Sequence, residues 1–199
     1  MRIKIWELAL LMAFILTILW GVLLDQQRQG LEDKLVRFHV VAHSDSPADQ
    51  ALKLYVRDRV WAELRPLFQG EGDRAQAEAE IEGQLDHITE VARQAVSDWG
   101  GTQPVRAHLL RERYPTRVYE TFTLPAGAYH SLRVEIGEAQ GGNWWCVVFP
   151  PICFQAAAGE LEDTLEVAGL SEEEIALITE GYALRFRALE LIDGIRALF

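Results

Sequence analysis

Cysteine is scarce in this chain, with only Cys146 and Cys153 present. That is too few for a disulfide-framed miniprotein or a four-thiolate zinc site. Positive charge is also short. Setting aside Arg2, Lys4 and Glu7 from the 19 basic and 30 acidic residues leaves 17 and 29, a formal charge of −12 for the remainder. Such a balance argues against nucleic acid or an anionic lipid surface as partner, because both need a net attraction to phosphate. Gly-x-Ser-x-Gly is missing, and Gly70-Glu-Gly72 and Gly137 to Gly142 lack the spacing and the following helix of a phosphate loop or dinucleotide fingerprint. The expectation is a protein without catalytic residues, cofactor or small-molecule substrate.

One long hydrophobic run is present. Leu8 to Leu24 contains no charge over 17 residues and is flanked by Arg2 and Lys4 before it and by Asp25-Gln26-Gln27-Arg28 after it. As a helix it spans roughly 26 Å, slightly less than the hydrocarbon core of about 30 Å, with Trp6 and Trp20 placed to sit near the interfaces. The basic N-terminal flank stays cytoplasmic by the positive-inside rule, so the body is exported. Val22, Leu23 and Leu24 occupy the positions where signal peptidase prefers small residues. An uncleaved signal anchor is therefore favoured over a cleaved signal peptide.

The remaining chain suffices for one domain with a real core. Residues 1–30 are assigned to the anchor, 31–154 to an exported domain, 155–181 to an acidic Ala/Gly/Glu-rich connector and 182–199 to a C-terminal strand or helix that docks back. Leu35 to Ala42 alternates loosely and reads as a strand in a central position. Ser46, Pro47 and Asp49 form a helix-start signature of N-cap, first-turn proline and capping-box acid, and the apolar stripe from Leu52 to Leu67 follows it. A second helix is expected from about Arg74 to Trp99, stopped by Gly100-Gly101. Strands are expected at Val105 to Arg113, from Tyr114-Pro115-Thr116-Arg117 through Leu124, at Tyr129 to Ile136 and at Trp144 to Phe149. In the connector, Ser171 and Glu174 predict a capped short helix reaching Thr179. Helices followed by hairpin-connected strands predict the α+β class, a mixed or antiparallel sheet covered on one face by two helices.

Few residues suggest chemistry. His39, His43 and Asp45 are the centre of a rival reading, an exported metal-dependent hydrolase, with Asp49 nearby. A spacing of four on a strand puts the two imidazoles about 13 Å apart, so a polar loop opening a helix explains these residues better than a metal site. Cys146 and Cys153 enclose a proline turn and read either as a short-loop disulfide or as two buried thiols. Trp144-Trp145 sends large side chains to opposite faces of a strand, so one faces outward if the other faces the core. With Tyr114, Tyr119 and Arg117, an outward Trp suits a protein-binding hot spot, and coverage of a second packed layer explains it at least as well. The candidate partner-contact set is Asp45, Asp49, Arg57, Asp58, Arg117, Trp144 and Trp145.

Two long stretches, Val36 to Asp58 (VRFHVVAHSDSPADQALKLYVRD) and Asn143 to Phe154 (NWWCVVFPPICF), strongly resemble the stage II sporulation protein R family. Tyr114 to Tyr119 (YPTRVY), Leu124-Pro-Ala-Gly127 and Leu184-Arg-Phe-Arg187 also resemble it. The resemblance implies a signalling protein of endospore-forming bacteria, exported from the forespore into the space between the septal membranes. It implies a partner as well, a membrane-embedded aspartic protease that removes the pro-sequence of the mother-cell sigma factor precursor. A structural septal protein is the third reading, and it predicts self-assembly rather than activation.

Overall fold

Val36–Val41 forms β1, buried along its whole length. Its apolar residues Val36, Phe38 and Val40 alternate with Arg37 and His39, so the pleat delivers different chemistry to each face. The computed structural model describes residues 4–68, 72–119, 121–152 and 158–179. Three further strands, Val105–Tyr114 (β2), Gly127–Ile136 (β5) and Asn143–Phe149 (β6), join β1 in a four-stranded sheet of order β2-β5-β1-β6. β1 is parallel to β5 and antiparallel to β6, while β2 is antiparallel to β5. The chain thus has the expected α+β class with a mixed sheet, and β1 is interior.

On the first face, Val36, Phe38 and Val40 meet Leu132, Val134 and Ile136 beneath α2 (Pro47–Leu64), α3 (Arg74–Gly83) and α4 (Leu85–Asp98). Helix α2 opens as its sequence predicts, with the Asp49 amide donating to Ser46 Oγ at 3.1 Å and Pro47 as the first helical residue. The single helix expected over Arg74 to Trp99 is instead two, broken at Gln84 (φ −112°, ψ 10°). Gly83 ends the first of them, and its poor helix propensity favours a break there over any other point in the stretch.

The second face is covered as well, which corrects the expectation of helices on one side alone. It receives the last turn of α1 (Ile5–Glu32), a ribbon of β3 (Arg117–Val118) with β4 (Thr123–Leu124), and the helices α5 (Ala158–Val167) and α6 (Glu172–Thr179). The strand expected to run from Tyr114 through Leu124 is therefore the end of β2 plus that ribbon. The stretch assigned to a connector carries α5 and α6, and buries Leu161, Leu165, Leu170, Leu177 and Ile178 against Tyr129 and Val147. The capping box of α6 is the one expected: Ser171 N donates to Glu174 Oε2 at 2.7 Å and Glu174 N to Ser171 Oγ at 3.3 Å. The docking segment expected at 182–199 lies outside the described residues.

Helix α1 continues past the charged flank where an anchor would end. Its apolar window is 0% buried, whereas Leu31 is 0% exposed and belongs to the second core. Gly30 lets α1 approach Glu174, and Gly127 leaves room for the Glu32 carboxylate where any side chain would collide with it. Arg74 Nε donates to the Asp33 carbonyl at 2.6 Å, and Lys34 Nζ bonds Glu174 at 2.6 Å and the Gly169 carbonyl at 2.9 Å. The apolar helix and the folded body are joined without a flexible link.

Candidate functional site

Cross-strand register assembles a row that no local stretch of sequence contains. Trp145 on β6 pairs with His39 on β1, His39 with Arg133 on β5, and Arg133 with His108 on β2. All four point to the second face; His39 is buried, Trp145 and Arg133 are half-buried, and the His108 side chain is 47% exposed. Glu112 and Glu135 flank the row. Arg133 lies 3.4 Å from Glu112 and 2.9 Å from Glu135, and Arg106 lies 3.4 Å from Glu135.

The row grades into a desolvated interior. Arg37, one register step along, is completely buried and paired across the strands with Ser131 and Val147. Its guanidinium lies 4.1 Å above the Tyr114 ring and 5.3 Å from that of Tyr129, and its Nη2 donates to Tyr119 Oη at 2.8 Å. Among the described residues its Nε and Nη1 have no hydrogen-bond partner, nor has the indole Nε1 of Trp145. Tyr114 and Ser131 share a hydrogen bond of 2.5 Å, and burial pushes the Tyr114 phenol up to about 12. Arg117, reaching over from β3, stacks on Trp145 at 3.6 Å.

Burial holds the His39 imidazole near pKa 4, with a side-chain contact from Asn143 opposing and the Arg133 and Arg37 charges assisting. The ring is neutral at pH 7. Its 3.5 Å separation from Glu112 is therefore not an ion pair. Edge-on contacts with Trp145 at 5.7 Å and Tyr114 at 6.1 Å hold it as part of an aromatic cluster. Ser131, the hydroxyl closest to this cluster in register, is buried and committed to Tyr114. At the surface the arrangement offers the exposed Arg106, His108 and Arg117 side chains beside π faces, which suit recognition of an acidic or aromatic surface.

The seven expected contact residues fall in three places. Trp145 and Arg117 stand at the row. Trp144 faces the opposite side, edge-on to Phe38 at 5.7 Å, with Arg57 4.9 Å above its ring and Arg57 paired to Asp58 at 2.7 Å. Both tryptophans are half-buried, so the expectation of one outward Trp gives way to two that each close a layer. Asp45 and Asp49 brace loops instead. Asp45 Oδ1 accepts from Gly142 N at 2.6 Å, and the Ser44 and Ser46 hydroxyls donate to Asp49, holding its carboxyl below the usual range. His43 accepts from the Glu138 amide at 3.0 Å, remote from His39. Among the described residues no group of three His, Cys, Asp or Glu side chains could hold a metal, so the hydrolase constellation does not assemble. Cys146 is disulfide-bonded, which decides that alternative for the described cysteine; Cys153 lies outside the described residues.

Sequence reasoning missed Arg37, Arg133, His108, Glu112 and Glu135. The available signal was alternation: Arg106, His108 and Glu112 share parity on β2, as Arg133 and Glu135 do on β5. Lys53 was also missed; it crosses from α2 to the Gly142 carbonyl at 2.9 Å and ties the same loops that Asp45 braces.

These features define an α+β domain carried behind an N-terminal helix long and apolar enough to cross a membrane. Residues 32–159 match the family model described as stage II sporulation protein R, and the chain belongs to that family. It is 32% identical over 130 residues to "Stage II sporulation protein R" of Bacillus subtilis (strain 168), covering 65% of this chain and 58% of that protein. The chain thus spans somewhat over half the length of the curated relative it matches. No solved structure matches it.

Proposed function

We propose that this chain is a membrane-anchored, non-catalytic signal of sporulation. Its body, exported into the septal intermembrane space, activates a membrane-embedded aspartic protease, which then processes the precursor of the mother-cell sigma factor. Family membership supports the pathway, and the observation that carries the mode of action is the row Trp145–His39–Arg133–His108, backed by Arg37. Arg37, fully buried, holds Tyr114 and Tyr119 beneath that row and acts on recognition through them. Activation needs only that the body bind the active state of the protease better than the idle state. A differential of about 3 kcal/mol shifts that equilibrium more than a hundredfold.

Retention of the anchor is supported by α1. A helix that runs unbroken from the apolar run to the buried Leu31 leaves no extended segment for signal peptidase. Co-reconstituting the full chain with the protease and its precursor tests the reading. Cleavage that depends on the wild-type chain and falls with Trp145→Ala or Arg117→Ala supports it. Unaided hydrolysis of a peptide or wall substrate, or cleavage indifferent to the chain, contradicts it.

A further inference from the structure

A cavity of about 260 Å³ opens where α1 meets the sheet, lined by Arg28 and Glu32 from the helix, Arg113 and Tyr114 from the end of β2, and the Ala126–Ala128 backbone. Its charges are not balanced. Glu32 is already engaged by Arg28 at 3.5 Å, by Arg111 at 3.7 Å and by the Ala128 backbone. Arg28 is steadied further by the Ala126 carbonyl, 3.5 Å from its Nη1. Arg113 is exposed and joins none of the ion pairs found among the described residues. The cavity therefore presents a braced guanidinium beside an unmatched one. Two planar donor forks in that arrangement fit the tetrahedral oxygens of a phosphate better than a lysine pair would.

The position of the cavity selects the source of that phosphate. Arg28 follows Leu24 by four helical residues, about 6 Å along the axis, and the headgroup layer beyond the hydrocarbon core is roughly 5–8 Å thick. The apolar run, at roughly 26 Å, is shorter than the core, and mismatch of that sign draws the flanking turn toward the bilayer. Because α1 enters the core of the domain without a link, the cavity mouth is held at the depth of the lipid phosphates. We propose that this cavity binds the phosphate of an anionic phospholipid headgroup from the adjacent leaflet, clamped between Arg28 and Arg113, a cationic pair that disfavours the choline ammonium. The proposal rests on the reading that α1 spans the membrane. The net negative charge of the body opposes broad adhesion to an anionic surface, whereas one headgroup in a pocket needs only the local pair. A captured lipid would fix the rotation of the domain about α1, and with it the direction in which the row faces.

The full chain reconstituted in phosphatidylcholine nanodiscs, doped with spin-labelled phosphatidylglycerol or spin-labelled phosphatidylcholine, tests this by the motionally restricted fraction in the electron paramagnetic resonance spectrum. The expected result is preferential restriction of phosphatidylglycerol, reduced about fivefold by Arg113→Gln and lost in the Arg28→Gln/Arg113→Gln pair. Arg106→Gln, at the far end of the same strand, leaves it unchanged. Arg113 is exposed, so its variant keeps the fold, which circular dichroism checks. Retention of the protein in the disc without headgroup preference, or a preference that survives both substitutions, overturns the site while leaving the anchor intact. Displacement of the lipid by millimolar inorganic phosphate marks a free-anion site and overturns the lipid source. Failure of the protein to remain in the disc refutes the anchor itself, and the headgroup site with it.

Discussion

The two faces of one four-stranded sheet are built for opposite ends. Under α2, α3 and α4, Val36, Phe38, Val40, Leu132 and Val134 are each fully buried, and the one charged contact among these positions is His130 with Glu78 of α3 at the end of β5. Across the same strands, one residue out of step, lie Arg37, His39, Ser131, Arg133 and Glu135. The first face gains stability simply by leaving water. The second removes charged and polar groups from water and returns only part of their hydrogen bonding, which costs free energy. The contrast locates stability on the first face and leaves the second as the side to which the proposed recognition is assigned.

Substitutions can break that contrast. Phe38→Ala is expected to cost about 3–5 kcal/mol in denaturant unfolding, the largest effect of any single change considered. Arg37→Met, a register step away and equally buried, is expected to fall within about 1 kcal/mol of wild type, or to be more stable, while lowering protease activation about tenfold. If Arg37→Met destabilises as much as Phe38→Ala, the faces are equivalent and the distinction fails.

The His39 imidazole sharpens the same contrast through pH. Its folded value of about 4 lies below the ordinary 6.5, so between those limits the unfolded chain binds the extra proton. Stability is then complete above pH 6.5 and declines as pH falls toward 4, by about 3 kcal/mol over the whole window. His39→Gln is expected to flatten the curve of unfolding free energy against pH across that range, and an unchanged slope would show that the ring titrates normally.

At the junction with α1, Gly127→Val places a side chain on the Glu32 carboxylate and is expected to cost about 1–3 kcal/mol. Faster amide exchange in α1 from Arg28 to Glu32, with the first face unaffected, would accompany it. The smallest effect belongs to the first face, where Ser46→Ala removes the N-cap of α2 at about 1 kcal/mol by thermal unfolding.

Local signals carried much of the fold. Ser46, Pro47 and Asp49 specify a helix start through their own hydrogen bonds, and Ser171 with Glu174 does the same for α6. Helix α5 was missed because its Ala, Gly and Glu content resembles a tether, although Leu161 and Leu165 stand four apart on one side. The candidate site was legible only at its rim, in Trp145 and Arg117. Its body draws on positions from 37 to 145, and strand register, which sequence spacing does not encode, is what brings His39, Arg133 and His108 into line. Asp45 and Asp49 have a structural use that the sequence pattern did not separate from partner contact: short polar side chains in a loop satisfy nearby amides and hydroxyls as readily as they meet a partner.

The most direct measurement sets the two sides of the molecule against each other in the reconstituted cleavage assay. The exposed charge reversals Arg106→Glu and Arg117→Glu on the second face are expected to reduce activation at least about tenfold with the folded state intact, whereas Asp58→Lys, beside Trp144, leaves it near wild type. Loss of activation with Asp58→Lys and full activity of both second-face reversals would contradict the account.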